Sequence, residues 1–142
     1  MKVKLGDIAS VYPLLMKSSW GKMSGKAKHR MICILQAIKP HFNEFNGLRE
    51  DTVKKLAGED YQEAVRKIQN PPADLPEKEK DEALKLVRSS DEAYAKFMQE
   101  TAAKEVEVDY QMLGEEDFEA LLDGSKDLSP QELLLLSELI SE

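Results

Sequence analysis

The spacing of apolar residues along this chain changes several times, and each change marks an element. Lys2 to Leu5 alternates polar and apolar with Val3 and Leu5 on one face, which predicts a short half-buried strand. Ile8, Val11, Leu15 and Met16 then fall at helical spacing, predicting a short helix that Asp7 caps and Ser18-Ser19-Trp20-Gly21 ends. Pro13 is expected in its first turns, because proline deeper in a helix removes a hydrogen bond and clashes with the preceding turn. From Ser24 the apolar positions Ala27, Met31, Ile34, Ile38, Phe42 and Phe45 recur every three or four residues and predict a long amphipathic helix, kinked at Pro40. Asn46-Gly47 is a second weak point or a true break. Leu48, Val53 and Leu56 carry the stripe on to Gly58, a C-terminal stop behind Lys54 and Lys55.

Tyr61, Ala64, Val65 and Ile68 predict a shorter helix closed by Asn70-Pro71-Pro72, and the polar stretch from Ala73 to Lys80 reads as an exposed connector. After Pro76 a second long helix is expected to about Lys104, with Leu84, Val87, Tyr94, Phe97 and Met98 inward and packed antiparallel to the first. Glu105-Val106-Glu107-Val108-Asp109-Tyr110 switches to a period of two. Its polar face is acidic and that of the N-terminal strand is basic, so pairing them would bring Lys2 and Lys4 near Glu105, Glu107 and Asp109. Glu115 to Asp123 predicts a short helix through Phe118, Leu121 and Leu122. The last helix is the most explicit: Ser129 is the N-cap, Pro130 takes the first helical position, and Glu132 completes a capping box.

The fold expected is therefore mainly α: two long antiparallel helices, the first kinked near Pro40, with short helices and a two-stranded sheet pairing the N-terminal strand with residues 105–111. A chain of 142 residues suits one domain, 1–142, with one core. The content of 42% hydrophobic and 33% charged residues places it with globular rather than disordered chains. The lone Cys33 excludes an internal disulfide and fits a reducing cytoplasm. The start turns polar after five residues, unlike a signal peptide, and no apolar run is long enough to span a bilayer.

Charge changes the picture most. Residues 1–40 hold eight basic side chains against the single acid Asp7, a net +7, while the whole chain is −7, leaving −14 for residues 41–142. A split of this size means that the chain ends attract each other or that one end has an oppositely charged partner.

The Lys-Val-Lys-Leu start, the Gly-Lys-Ala-Lys-His-Arg opening of a long helix, the Lys-Lys-Leu-Ala-Gly-Glu-Asp exit, the Glu-Val-Glu-Val-Asp strand and the Leu-Ser-Pro-Gln-Glu-Leu-Leu-Leu-Leu ending come in a distinctive order. In that order the chain resembles a group of small proteins of unknown function encoded by tailed phages and prophages. The resemblance implies a phage origin, a bacterial cytoplasm as the place of action, and a fold more than an activity. It supplies no catalytic residues to carry over.

Chemistry is thin. His29 and Cys33 are four apart and could face one metal from a helix, but a site needs three or four ligands and no Cys-x-x-Cys or His-Glu-x-x-His completes one. His41 follows Pro40 and reads as accommodating the kink. The acidic runs Glu77 to Glu82 and Glu115 to Asp117 read as solvated helix faces, and Gly21 and Gly25 form no phosphate loop. No catalytic, cofactor-binding or metal residue is assigned, and no cofactor is expected.

Two features suggest binding. In Trp20 to Arg30, the basic Lys22, Lys26, Lys28 and Arg30 follow an aromatic at a helix start, an arrangement that can hold phosphate; the plainer reading makes Trp20 a core anchor and lets the lysines offset the acidic remainder. In the last helix, Leu133 and Leu136 are expected inward, with Leu135 and Leu139 offered to a protein partner or a second copy. The function expected is a non-enzymatic, phage-encoded interaction, assembly or accessory factor. The alternatives are an acidic inhibitor of a host nucleic-acid-binding or defence protein, and nucleic-acid binding through residues 20–30.

Overall fold

The computed structural model describes residues 1–125 and 127–142. The protein is mainly α, with six helices and one two-stranded antiparallel sheet among the described residues. In chain order these are β1 (Lys2–Lys4), α1 (Leu5–Lys17), α2 (Gly25–Leu56), α3 (Glu59–Gln69), α4 (Glu77–Ala103), β2 (Glu105–Glu107), α5 (Glu115–Gly124) and α6 (Pro130–Ile140). They divide into two compact units, residues 1–46 with 102–142, and residues 47–101.

The first unit joins the two ends of the chain. β1 pairs with β2 so that Val3 faces Val106 while Lys2 stands opposite Glu107 and Lys4 opposite Glu105, the predicted alternation of charge. The sheet is shorter than expected: β2 ends at Glu107, not at residue 111. The reason lies in the register: Lys2 stands opposite Glu107, which puts Val108 opposite Met1 and leaves residues 109–111 with no residue of β1 across from them. Val108 still donates its N–H to the Met1 carbonyl (3.0 Å), and its side chain is buried.

Leu5 belongs to α1 rather than to the strand, and Asp7 is not its cap. Lys4 holds the N-cap position without a side-chain bond, and the Leu5 N–H donates to the Lys104 carbonyl (2.9 Å). Asp7 instead sits in the first turn, where a carboxylate favours the helix dipole. Pro13 lies well inside the helix, beyond its first turns, on the exposed side, where water can serve the Ala9 carbonyl that lacks its helical donor. Of the apolar positions at helical spacing, Met16 is exposed. Gly6 is needed for a close approach, since a Cβ there would lie 2.8 Å from Ala102 Cβ.

α2 runs unbroken through Pro40 and Asn46-Gly47. Pro40 is exposed, so the carbonyl it leaves unpaired faces solvent. Met31, Ile34 and Ile38 of α2 meet Ile8, Val11 and Leu15 of α1, Leu121 of α5, and Leu136 and Ile140 of α6 in one contiguous core. Tyr12 and Phe42 stack beside it with ring centroids 4.4 Å apart. α6 is tied down further by backbone: the Leu113 N–H donates to the Ile140 carbonyl (2.6 Å) and the Glu142 N–H to the Leu113 carbonyl (3.1 Å). The Tyr110 hydroxyl donates to the Leu139 carbonyl (2.7 Å), and its burial raises the phenol pKa.

In the second unit, the end of α2 leads into α3, and the Asn70 to Pro76 connector leads into α4. Near the start of α3, the Tyr61 hydroxyl donates to Asp91 Oδ1 midway along α4 (3.0 Å). That bond is the main cause of the raised Tyr61 pKa, since ionisation would break it beside a carboxylate. Buried side chains here are few and small: Ala64, Ala83 and Thr101 among the described residues.

Candidate interaction surfaces

The basic segment opens on a rigid turn. Trp20 packs its indole against the core and donates Nε1–H to Ser18 Oγ (2.9 Å), Met23 is buried, and the Met23 N–H returns to the Trp20 carbonyl (3.0 Å). Anchored on both sides, the turn presents Lys22 to solvent. Trp20 is thus a core anchor with its polar hydrogen already used. Ser24 then caps α2, its Oγ accepting from the Ala27 N–H (3.1 Å), and Lys26 lies exposed with Lys28 and Arg30 half-exposed in the following turns.

These cations sit near the positive end of a helix dipole, with no acid in the first turn of α2. Among the described residues, none of Lys22, Lys26, Lys28 and Arg30 has a carboxylate oxygen within 4 Å; the ion pairs present are the Met1 amino group with Glu107 (3.3 Å) and His41 with Glu44 (4.0 Å). Attraction to the acidic end is therefore a diffuse field. Residues 102–142 hold two bases against twelve acids, a net −10, and fold into the same unit as the basic segment. Changing Lys22, Lys26 and Lys28 together to Gln should cost less than ~1 kcal/mol at low salt and nothing measurable at high salt. Denaturation at two ionic strengths checks this. Tight, salt-sensitive DNA or RNA binding by the unmodified protein, lost in the triple variant, would contradict the offsetting role.

The last helix corrects the expected partner surface. Ser129 caps α6 as predicted, its Oγ accepting from the Glu132 N–H (3.2 Å). The reciprocal half of the capping box does not form among the described residues, and Glu132 Oε2 is buried without a partner. Leu136 is buried as expected and Leu133 is half-buried, yet Leu139 is buried too and Leu135 packs against the core. Leu139 lies three residues beyond Leu136, about 60° round the helix, and so shares its face. The solvent-facing leucine is Leu134, at 66% exposure.

His29 Nε2 and Cys33 Sγ lie 3.8 Å apart on exposed helix, and no group of three metal-donor side chains occurs among the described residues. No described helix is long and apolar enough to cross a membrane.

The second unit carries the surface that sequence reasoning missed. Leu84, expected inward, is 37% exposed and Leu86 38% exposed, while Val87, Tyr94, Phe97 and Met98 are half-buried. Val53 and Ile68 are exposed as well. A signal was present: Leu84 and Leu86 are two apart, about 200° round a helix, so one face of α4 cannot hide both. Between α3 and α4 lies an open groove of about 240 Å³ with Ala64, Ala83 and Leu86 in its lining. Asp60 and Glu63 line it from α3 and Glu79 and Glu82 from α4, with Lys67 as its single base.

No protein family, curated protein or solved structure matches this chain.

Proposed function

We propose that the protein is a non-enzymatic interaction factor that engages a protein partner through the helices of its second unit. One observation carries this reading. In residues 47–101 the buried side chains among those described are two alanines and a threonine, while Val53, Ile68, Leu84 and Leu86 remain in contact with water. Apolar side chains on long helices gain stability only when covered, roughly 25 cal/mol per Å² removed from water, and this unit leaves that gain unrealised. The first unit has a contiguous core of its own, which fits the role of a mount for the exposed helices. The resemblance to small tailed-phage proteins supports a phage-encoded assembly or accessory factor working in the cytoplasm of the bacterial host.

Leu84→Asp with Leu86→Asp tests the reading. Because neither position is buried, the double variant should cost no more than about 1–2 kcal/mol, the sum of two helix-propensity losses and of the contacts that the partly covered leucines make. It should also lose at least tenfold in retention of the partner captured from infected-cell lysate. A large loss of stability would show that these leucines belong to a core, and undiminished capture would place the partner elsewhere. The partner's class decides among the finer readings: a virion protein points to assembly, a host nuclease to inhibition by the acidic surface, and nuclease-sensitive recovery to nucleic acid.

A further inference from the structure

Ala64, Ala83 and Leu86 line the groove between α3 and α4 among four carboxylates, with Lys67 as the one base of its lining. Asp60, Glu63, Glu79 and Glu82 border it, and no base lies within 4 Å of any of them among the described residues. An occupant that suits it presents an apolar side chain between cations. The same chain displays such a surface on the N-terminal half of α2. Ile32 is 44% exposed there, while Met31, Ile34 and Ile38 of the same helix are buried. Lys28 lies four residues before Ile32 and Lys39 seven residues after it, so all three fall within a narrow arc of the helix. Neither lysine has a carboxylate within 4 Å among the described residues.

We infer that the groove between α3 and α4 of one copy receives the Lys28–Ile32–Lys39 face of α2 from a second copy. The inference rests on the proposed role of the second unit as an interaction surface and names a second copy as one partner of it. The two surfaces differ, so the contact is heterologous: each copy offers one groove and one basic face, and association extends from copy to copy until a ring closes or growth stops. Ile32 supplies the apolar contact over Ala64, Ala83 and Leu86. The lysines meet the carboxylates of the groove, where exposed charges set orientation and make association sensitive to salt.

The test uses the full chain in light scattering after size exclusion, with two charge-reversal variants, Glu79→Lys/Glu82→Lys and Lys28→Glu/Lys39→Glu, whose folding is checked by thermal melting. At low salt the unmodified protein should rise above its 16.1 kDa monomer mass as concentration increases, and return to it at high salt. Each variant alone faces like charge on like charge and should associate at least tenfold more weakly. Mixed in equal amounts, the two variants again match opposite charges in both directions, and association should return. An unmodified protein that stays monomeric to millimolar concentration overturns the inference, as does assembly unaffected by either reversal. A monomeric protein that still holds a different, basic partner through Glu79 and Glu82 overturns the self-docking while leaving the interaction role standing.

Discussion

Replacing Leu136 with alanine should destabilise the protein by about 2–5 kcal/mol, a sizeable part of the stability of a domain this small. Leu136 is 1% exposed and lies in the cluster formed by α1, α2, α5 and α6, so the deletion removes buried methyl groups and leaves a cavity that its neighbours fill only in part. Leu134→Ala, two residues away on the same helix, should change stability by no more than about 0.5 kcal/mol, because that side chain already faces water. Denaturant unfolding of both variants at two protein concentrations separates core from interface. A Leu136→Ala loss that vanishes in dilute protein would show that α6 serves an intermolecular contact.

Gly124→Ala should cost about 1–3 kcal/mol or more, although it adds one methyl group at a helix end. The demand at Gly124 is for space, not for an unusual backbone angle. A Cβ there would lie 2.5 Å from the Ser19 carbonyl oxygen and 3.3 Å from its carbonyl carbon. The obstacle is backbone, and it adjoins the turn fixed by Trp20 and Met23, so it yields little. Since Trp20 is the sole tryptophan, its fluorescence should shift along with the loss of stability. Gly25→Ala, where nothing lies within 4 Å of the added Cβ, is the control and should be neutral or slightly stabilising. Equal behaviour of the two variants would mean that the close packing of α5 on the Ser19 backbone is wrong.

The elements were readable from the chain wherever two local signals agreed. Residues 105–107 alternate Glu and Val, residues 2–4 alternate Lys and Val, and the register sets those opposite charges face to face. Ser129 and Pro130 mark the start of α6 to the residue. What local pattern does not contain is the supply of partners. The alternation past Glu107 looks like strand, but strand length is set by the three residues of β1. Pro13 looks like a helix stop and Asn46-Gly47 like a break, but both helices run on, and Pro13 stands on an exposed face where solvent satisfies the freed carbonyl. In α6 six apolar residues leave the inward face undetermined, and Leu139 falls inside rather than outside.

The candidate surfaces were legible in part for the same reason. Lys22, Lys26, Lys28 and Arg30 could be placed from their spacing, and the structure puts them at the start of α2. Whether they pair with the acidic end is a matter of distances between remote segments, and no pair within 4 Å forms among the described residues. The exposed helices of the second unit escaped notice because Leu84, Val87, Tyr94 and Phe97 have core-like spacing. Spacing tells which residues share a face, and the existence of anything to cover that face depends on the rest of the fold.

On the proposed reading, the helices of residues 47–101, which bury few side chains among those described, keep their apolar surface for a partner. Amide hydrogen exchange in dilute protein tests it most directly, since protection reports the free energy of local opening. Amides of Glu77 to Met98 should exchange at least a hundredfold faster than those of Met31 to Ile38, and should gain protection when a partner or a second copy binds. Protection of Glu77 to Met98 equal to that of Met31 to Ile38 in dilute, monomeric protein would contradict that reading.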